Sequence, residues 1–312
     1  MGRLVSGYGV RVGQYEMSEN VTATTDEAPV SPDAVRVISC ELVFAVIDPS
    51  EVVLQLMASA LSGRVLAERF DVQLDTEPVA PVVELSGPHA ARVHVFAADA
   101  GRLSVHYRAE IEAAPAPPSP PDGSDHRSEP SSAYTRLVYL RPSRYCPSDH
   151  LVGFAVAEFG VDTTVRSRVA AITAWIRERI GYVAGSSSVH DSAEDTLLTG
   201  MGTCRDFAHL GVALCRALGI PARFVSVYAP GLFPMDFHAV FETLEEGQWI
   251  AHDATDLAPR QSLVRIGTGR DAADTAFASV NRGIATLEYL EVSATVGGHL
   301  PVDDPLCQFR LA

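Results

Sequence analysis

The sequence predicts a chain in two parts: a small β-sandwich at residues 34–112, followed by a region that mixes helices with strands. Short runs rich in Val, Ile, Leu and aromatic residues, with partial alternation, fill the first part, and such runs are typical of strands. After a proline-rich segment at 113–133, apolar residues recur instead at steps of three and four, the period of a helix. A length of 312 residues suits one large domain or two ordinary ones.

The first part contains strand-like runs at 36–47, 51–59 and 102–113, with another inside 86–102. We expect roughly five to seven short strands here, which favours a sandwich.

Two segments are expected to lack regular structure. Residues 1–33 are rich in Thr, Glu, Pro and Gly and are predicted to form a mobile tail, with either Met1 or Met17 as the true start. Residues 113–133 contain six prolines, which predicts a linker or an exposed loop.

Two helices are predicted early in the second part. One carries apolar residues from Val165 to Ile180 at steps of three or four, after a threonine N-cap at 163 or 164. The other opens with Ser192 and Asp195 at the spacing of a capping box.

A third helix carries the chemistry. Its apolar stripe covers 207–218, and Gly219 followed by Pro221 ends it. Extrapolation places Cys204 in the first turn, where unpaired N–H groups and the helix dipole stabilise a thiolate or an oxyanion. Cys204 is therefore a candidate nucleophile, whereas Cys215 lies in the middle of the stripe and is predicted to pack in the core.

Three strand-like runs follow, with a turn predicted at Glu246-Gly247 between the second and the third. His238 stands at the start of the second run and Asp253 near the end of the third. Adjacent antiparallel strands would bring these side chains together. A nucleophilic thiol needs a base, and the base needs an orienting group, so Cys204, His238 and Asp253 are the predicted catalytic residues.

Composition excludes several classes of function. The 39 acidic and 24 basic residues give a net charge of −15, which argues against binding to nucleic acid or to anionic membranes. No apolar run is long enough to span a membrane and no secretory signal is recognisable, so we expect a cytoplasmic location. The five cysteines form no CxxC pair, and no metal-ligand spacing or EF-hand loop occurs, so neither a metal nor another cofactor is expected.

The motif "GTCRDFAHLGVALCRALGIPAR", followed by "DFHAVFET" and "GQWIAHDAT", resembles the core of the bacterial transglutaminase-like superfamily. That family has Gly-x-Cys at a helix start, Leu-Gly-Ile-Pro-Ala-Arg at the helix end, His-Ala on one strand and Trp-x-x-x-Asp-x-Thr on the next. The similarity covers residues 134–295 and leaves 296–312 as a C-terminal extension. The strand-rich first part is similar to the β module that often precedes this core in bacteria.

The resemblance implies a papain-like α+β core in which the Cys helix packs on an antiparallel sheet. It also implies that Cys204 is the nucleophile, that His238 is the general base and later the acid, and that Asp253 orients the imidazole. One position departs from the family pattern: Val240 stands where many relatives carry an aromatic residue, which bears on the shape of the acyl groove.

Thiol-dependent acyl transfer on an amide or peptide bond, through an acyl-enzyme on Cys204, is therefore the leading hypothesis. Attack by water would make the protein a cysteine peptidase or amidase acting on a peptide, protein or small amide. Attack by an amine co-substrate would make it a transglutaminase or amide-forming acyltransferase. A non-catalytic binding module is the alternative from another class. Candidate substrate-binding residues are His190, Thr203 and Tyr228, of which Tyr228 could either line the cleft or fill the core.

Other conspicuous side chains have simpler interpretations. Trp175 and Trp249 are predicted to be core aromatics, and Arg223 to form a salt bridge. His209 is expected to lie behind the site at most, and His252 to face away from Asp253 because neighbouring residues of a strand alternate in direction.

Overall fold

The computed structural model describes residues 35–113, 130–160, 164–304 and 307–311. The predicted mobile tail at 1–33 lies outside these ranges, and so do residues 114–129 of the predicted linker. The two ends of that predicted linker belong to regular structure, because Ala113 ends a strand and Pro130 starts a helix.

A 20-residue strand, β1 (Val35–Leu54), organises the first part of the chain. It joins two runs that the sequence analysis treats as separate strands. The other strands of this part are β2 (Gly63–Leu74), β3 (Glu77–Pro78), β4 (Val83–Ser86), β5 (Arg92–Ala98) and β6 (Gly101–Ala113). One edge of β1 pairs antiparallel with β6 near its start and with β5 near its end.

The other edge of β1 pairs antiparallel with β13 (Ala278–Val296), along nearly its whole length. In the described part of the chain, seven strands therefore form one sheet, in the order β3-β2-β6-β1-β5-β4 with β13 also paired to β1. The predicted β-rich first part is confirmed, but its strands share one hydrogen-bonded sheet, because β1 is long enough to pair with two strands on one edge. The sequence analysis placed residues 278–295 in the second part, and their hydrogen bonds place them in this first sheet instead.

The helices of the second part are α1 (Pro130–Val138), α2 (Val152–Phe159), α3 (Val165–Arg179), α4 (Ala193–Thr199) and α5 (Cys204–Ala217). The predicted caps are confirmed: the Thr164 hydroxyl accepts from the backbone N–H of Ser167, and Ser192 and Asp195 form a capping box. Helix α5 ends as predicted, since Gly219 has a φ of +74° and its N–H donates to the carbonyl of Arg216.

A second, antiparallel sheet has the order β11-β10-β9-β12. Its strands are β9 (Ala222–Tyr228), β10 (Phe237–Glu245), β11 (Gln248–His252) and β12 (Val264–Gly269). The predicted turn between β10 and β11 is present, with φ of 48° at Glu246 and 83° at Gly247. Two short strands, β7 (Gly181–Tyr182) and β8 (Met201–Gly202), pair in parallel.

Helix α5 packs against β10 and β9, so the predicted α+β core with the Cys helix on an antiparallel sheet is confirmed. The closest approach is at Gly211, where an added Cβ would lie 2.6 Å from the Phe241 ring. The opposite face of the sheet buries Val225, Val227 and Val240, with Leu311 packed against them.

The two sheets share an apolar core. Tyr228, Val264 and Ile266 of the second sheet pack into the core formed by β1, β5 and β6. The Tyr228 hydroxyl donates to the carbonyl of Leu56, at 2.9 Å. The first sheet is therefore packed directly on the second sheet. Among the residues that the structure describes, no helix has the length and apolar character needed to cross a membrane.

Candidate active site

Cys204 is the first residue of α5, as the sequence predicts, and its side chain is half-buried. The turn before it is compact because the Asp206 carboxylate accepts hydrogen bonds from the residue that precedes the helix. Asp206 accepts from the backbone N–H of Thr203 at 2.7 Å and from the Thr203 hydroxyl at 2.9 Å. Gly202 permits this arrangement, since a Cβ there would lie 2.6 Å from the Asp206 Cβ.

The buried carboxylate of Asp206 also anchors the loop that follows β7. The Ser187 hydroxyl donates to Asp206 at 2.9 Å, and the Arg205 guanidinium donates to the same hydroxyl at 2.7 Å. The first turn of α5 is therefore fixed from both sides, which holds the Cys204 side chain in place.

His238 and Asp253, predicted as base and orienter, are in contact. Nε2 of His238 lies 2.8 Å from Oδ2 of Asp253, and both side chains are buried. Asp253 comes one residue after β11, in which His252 pairs with Phe241 of β10. It therefore lies diagonally across the hairpin from His238, a spacing that side chains can bridge.

The other ring nitrogen of His238, Nδ1, is buried and has no hydrogen-bond partner among the described residues. Burial, the largest single effect, lowers the pKa of His238, but the charge and hydrogen bond of Asp253 and the Cys204 side chain together more than offset it. The net effect raises the pKa of His238 to about 10. The histidine thus stands between the carboxylate and the thiol, with Nδ1 left for the thiol.

Two neighbours hold Asp253 in place. Its Oδ1 accepts from the backbone N–H of Thr255 at 2.8 Å and from the Thr255 hydroxyl at 2.7 Å. The guanidinium of Arg177 donates to the Asp253 carbonyl at 3.3 Å. Burial raises the pKa of Asp253, but His238 and Thr255 more than offset it, so the net pKa is lowered and the carboxylate stays charged.

Tyr182 and Asp236 belong to the same cluster, and the sequence analysis did not identify either. Tyr182 pairs with Gly202, two residues before Cys204, through the short β7–β8 contact. Asp236 immediately precedes β10 and is half-buried near His238, and burial raises its pKa. A two-residue parallel strand pair leaves no periodic pattern in a sequence, so Tyr182 had no signal by which to be found.

The three candidate substrate-binding residues lie in different settings. Tyr228 is fully buried between the two sheets and its hydroxyl donates to the Leu56 carbonyl, so of its two predicted settings the core is the one observed and the cleft is wrong. The Thr203 hydroxyl donates to Asp206 in the helix cap. His190 is exposed in the loop after β7, and its role stays a prediction.

Several other interpretations are confirmed. Cys215 is fully buried, and burial raises its pKa strongly. Arg223 forms a buried salt bridge with Glu242 at 2.6 Å. His252 contacts the Thr243 hydroxyl at 2.8 Å and the Glu245 carboxylate at 3.2 Å. His209 is fully buried in the core and accepts from the backbone N–H of Ala272.

The described residues contain no group of three or more His, Cys, Asp or Glu side chains that could hold a metal ion.

Fold and site together define a class: an α+β protein in which a cysteine at a helix start faces a His–Asp pair on a sheet. Comparison with known proteins agrees. The family model of the transglutaminase-like superfamily matches residues 155–254, a stretch that contains Cys204, His238 and Asp253. A crystal structure described as a proposed cysteine protease from Cytophaga hutchinsonii is 35% identical and has a TM-score of 0.74. The match covers 86% of this chain and 92% of that one. The chain belongs to the transglutaminase-like superfamily.

Sequence relatives without an assigned function are also found in mycobacteria. An uncharacterized protein of Mycobacterium leprae is 32% identical over 148 residues, which is 44% of this chain and 52% of that protein. An uncharacterized protein of Mycobacterium tuberculosis is 32% identical over 108 residues, 30% of this chain and 34% of that protein. The matches therefore span about half or less of these relatives.

Proposed function

We propose that this protein is a thiol enzyme that cleaves an amide or peptide bond through an acyl-enzyme on Cys204. One observation carries the proposal: the imidazole of His238 bonds Asp253 through Nε2 and leaves a buried, unpartnered Nδ1 beside the thiol of Cys204. The Nδ1 of the core histidine His209 also has no partner among the described residues, so what distinguishes His238 is its bond to the Asp253 carboxylate together with the nearby Cys204 side chain.

In the first step Nδ1 of His238 takes the thiol proton, and the sulfur of Cys204 attacks the carbonyl carbon of the substrate. A C–S bond forms, and the carbonyl electron pair moves to oxygen. When the carbonyl re-forms, the amine leaves and takes the proton from Nδ1. Asp253 stabilises the imidazolium between these two transfers, as its low pKa and buried contact allow.

Water, with His238 taking its proton, then attacks the thioester; the C–S bond breaks, the acid is released, and the proton on His238 returns to the sulfur of Cys204. The proposal of hydrolysis is supported by the similarity to the Cytophaga hutchinsonii structure, which covers most of both chains. The charge of −15 favours neutral or cationic substrates over anionic ones.

The test uses p-nitrophenyl acetate as the acyl donor. We expect a burst of p-nitrophenolate equal to the enzyme concentration and an intact mass raised by one acetyl group. Cys204→Ala should show neither. Cys307→Ser is the matched control, because Cys307 is an exposed thiol whose Sγ contacts Asp304 and not the His–Asp pair, and this variant should keep the full burst.

An acetyl group that forms at the same rate in Cys204→Ala would defeat the proposal. If the wild-type protein forms no acyl-enzyme with the ester or with a peptide library, a binding module is the better account. Mass spectrometry of products formed with added alkylamines separates release to water from transfer to an amine.

A further inference from the structure

In the proposed reaction the Cys204 backbone N–H donates one hydrogen bond to the oxyanion. Oxyanion holes usually contain more than one hydrogen-bond donor, so we expect a second. Hydroxyls next to the thiol are the first place to look. Those of Thr203 and Ser187 both donate to the Asp206 carboxylate, so they are occupied in the helix cap.

Tyr182 is positioned differently. Strand β7 places it opposite Gly202, and flanking hydrogen bonds fix this register: Gly181 donates to the Gly200 carbonyl at 2.8 Å and Val183 to that of Gly202 at 2.9 Å. The backbone of Tyr182 is thereby held next to Gly202, two residues before Cys204.

The ring of Tyr182 leans over the start of α5. Its centroid lies 5.8 Å from that of Phe207, which is one helical turn after Cys204. Tyr182 is 44% exposed, so the residue borders the open side of the site rather than the core.

The phenol hydroxyl lies among the groups of the site. Burial raises the pKa of Tyr182, and so do the negative charges of Cys204, Asp236 and Asp253, while a hydrogen bond from the Cys204 backbone N–H opposes them. The net shift is upward, so the phenol keeps its proton and can act as a donor. The Tyr182 hydroxyl therefore lies within hydrogen-bond reach of the Cys204 N–H, at the start of α5.

We propose that the Tyr182 hydroxyl is the second oxyanion donor, acting with the Cys204 backbone N–H on the oxygen of the tetrahedral intermediate. The inference rests on the proposed function and adds to it a catalytic residue. The hydroxyl donates its hydrogen bond while the C–S bond forms and retains its proton throughout. His238 alone carries the proton that moves from the thiol to the leaving group.

The test compares two reactions of the same sulfur. Acylation by p-nitrophenyl acetate passes through a tetrahedral oxyanion, whereas alkylation by iodoacetamide displaces iodide and forms none. Tyr182→Phe removes only the hydroxyl. We expect its acylation rate to fall about 10²–10³-fold, with the alkylation rate and its pH dependence unchanged. Tyr134→Phe, on an exposed tyrosine of α1, is the matched control and should leave both rates unchanged.

Every other result overturns the inference. Unchanged acylation in Tyr182→Phe means that the hydroxyl is not a donor. A parallel loss of alkylation means that it positions the thiol instead, and faster acylation means that the phenol blocks the site. A wild-type protein that is alkylated but never acylated defeats the proposed function itself, a result separate from all three.

Discussion

At the scale of single residues, the site depends on the buried carboxylate of Asp253 and on the hydrogen bonds that fix its position. Asp253 is fixed by Thr255 on one oxygen and meets His238 with the other. Because the carboxylate is buried, its attraction for the imidazolium is little screened, and together with the Asp253 hydrogen bond and the Cys204 side chain it more than offsets the cost that burial imposes on a charged histidine. The raised pKa of His238 therefore depends first on Asp253, with Cys204 adding to it.

Replacing Asp253 by Asn tests that dependence. The side chain keeps its shape but loses the charge that raises the pKa of His238, so acylation by p-nitrophenyl acetate at neutral pH should fall about 10²–10⁴-fold. Asp71→Asn is the control, since that carboxylate pairs with Arg69 on β2 of the first sheet, and its acylation rate should stay close to wild type. Equal rates in Asp253→Asn and wild type would contradict the assigned role.

A second consequence at this scale concerns pH. The imidazolium of His238 has to protonate the leaving amine, and its pKa is raised to about 10. As the pH rises through that value the proton is lost, so amide cleavage should decline while alkylation of the thiolate does not. Rates of both reactions measured from pH 7 to 11 check this, and a parallel decline of the two would contradict it.

At the scale of elements, the contact between α5 and β10 aligns the nucleophile with the base. Both elements approach closely because Gly211 has no side chain where the ring of Phe241 packs. Phe241 is three residues after His238 on the same strand. The sequence predicted α5 and its ends from periodicity, Gly219 and Pro221, but the partner of Gly211 lies on another element and leaves no local pattern.

Gly211→Ala should therefore destabilise the protein. A Cβ 2.6 Å from the Phe241 ring forces repacking that costs about 1–3 kcal/mol, more than the gain of up to about 1 kcal/mol in helix propensity. Urea unfolding measures the change. Gly153→Ala, on α2, is the matched control because nothing lies within 4 Å of its Cβ, and it should be neutral or stabilising. Equal shifts in the two variants would show that the contact is not tight.

At the scale of the whole molecule, the last long strand of the chain pairs with the first. Strand β13 follows the second sheet along the chain and returns to pair with β1 of the first. Tyr228, Val264 and Ile266 also pack into the core of the first sheet. The sequence suggested two successive units, and nothing in the composition of 278–296 reveals that its hydrogen bonds are made with residues more than 200 positions earlier.

Both parts should therefore unfold together. Cys40 is buried in the core of the first sheet and Cys215 in the core beneath α5, so each reports on one part. Pulse alkylation in increasing urea, resolved by peptide mass spectrometry, should give the two thiols the same midpoint, as one cooperative transition requires. Two separate midpoints would show that the parts are independent domains.

Short-range patterns explain how much the sequence could predict. The caps at Thr164 and Ser192, the end of α5 and the turn at Glu246-Gly247 depend on neighbouring residues, and all are present. The proximity of His238 and Asp253 followed from one hairpin. Tyr182 and the true position of Tyr228 depend on pairing between distant segments. A single sequence does not encode such pairing locally.

The central claim is that His238 takes the proton of the Cys204 thiol, so that the sulfur is a thiolate when it attacks. The most direct test is the rate of Cys204 alkylation by iodoacetamide from pH 5 to 10. It is best measured in a Cys307→Ser background, because Cys307 is the other thiol that is not buried. We predict rapid alkylation already near pH 6, and in His238→Gln a collapse of that low-pH rate toward the behaviour of a free thiol near pH 8.5. Superimposable profiles for the two proteins, both rising only near pH 8.5, would contradict the account.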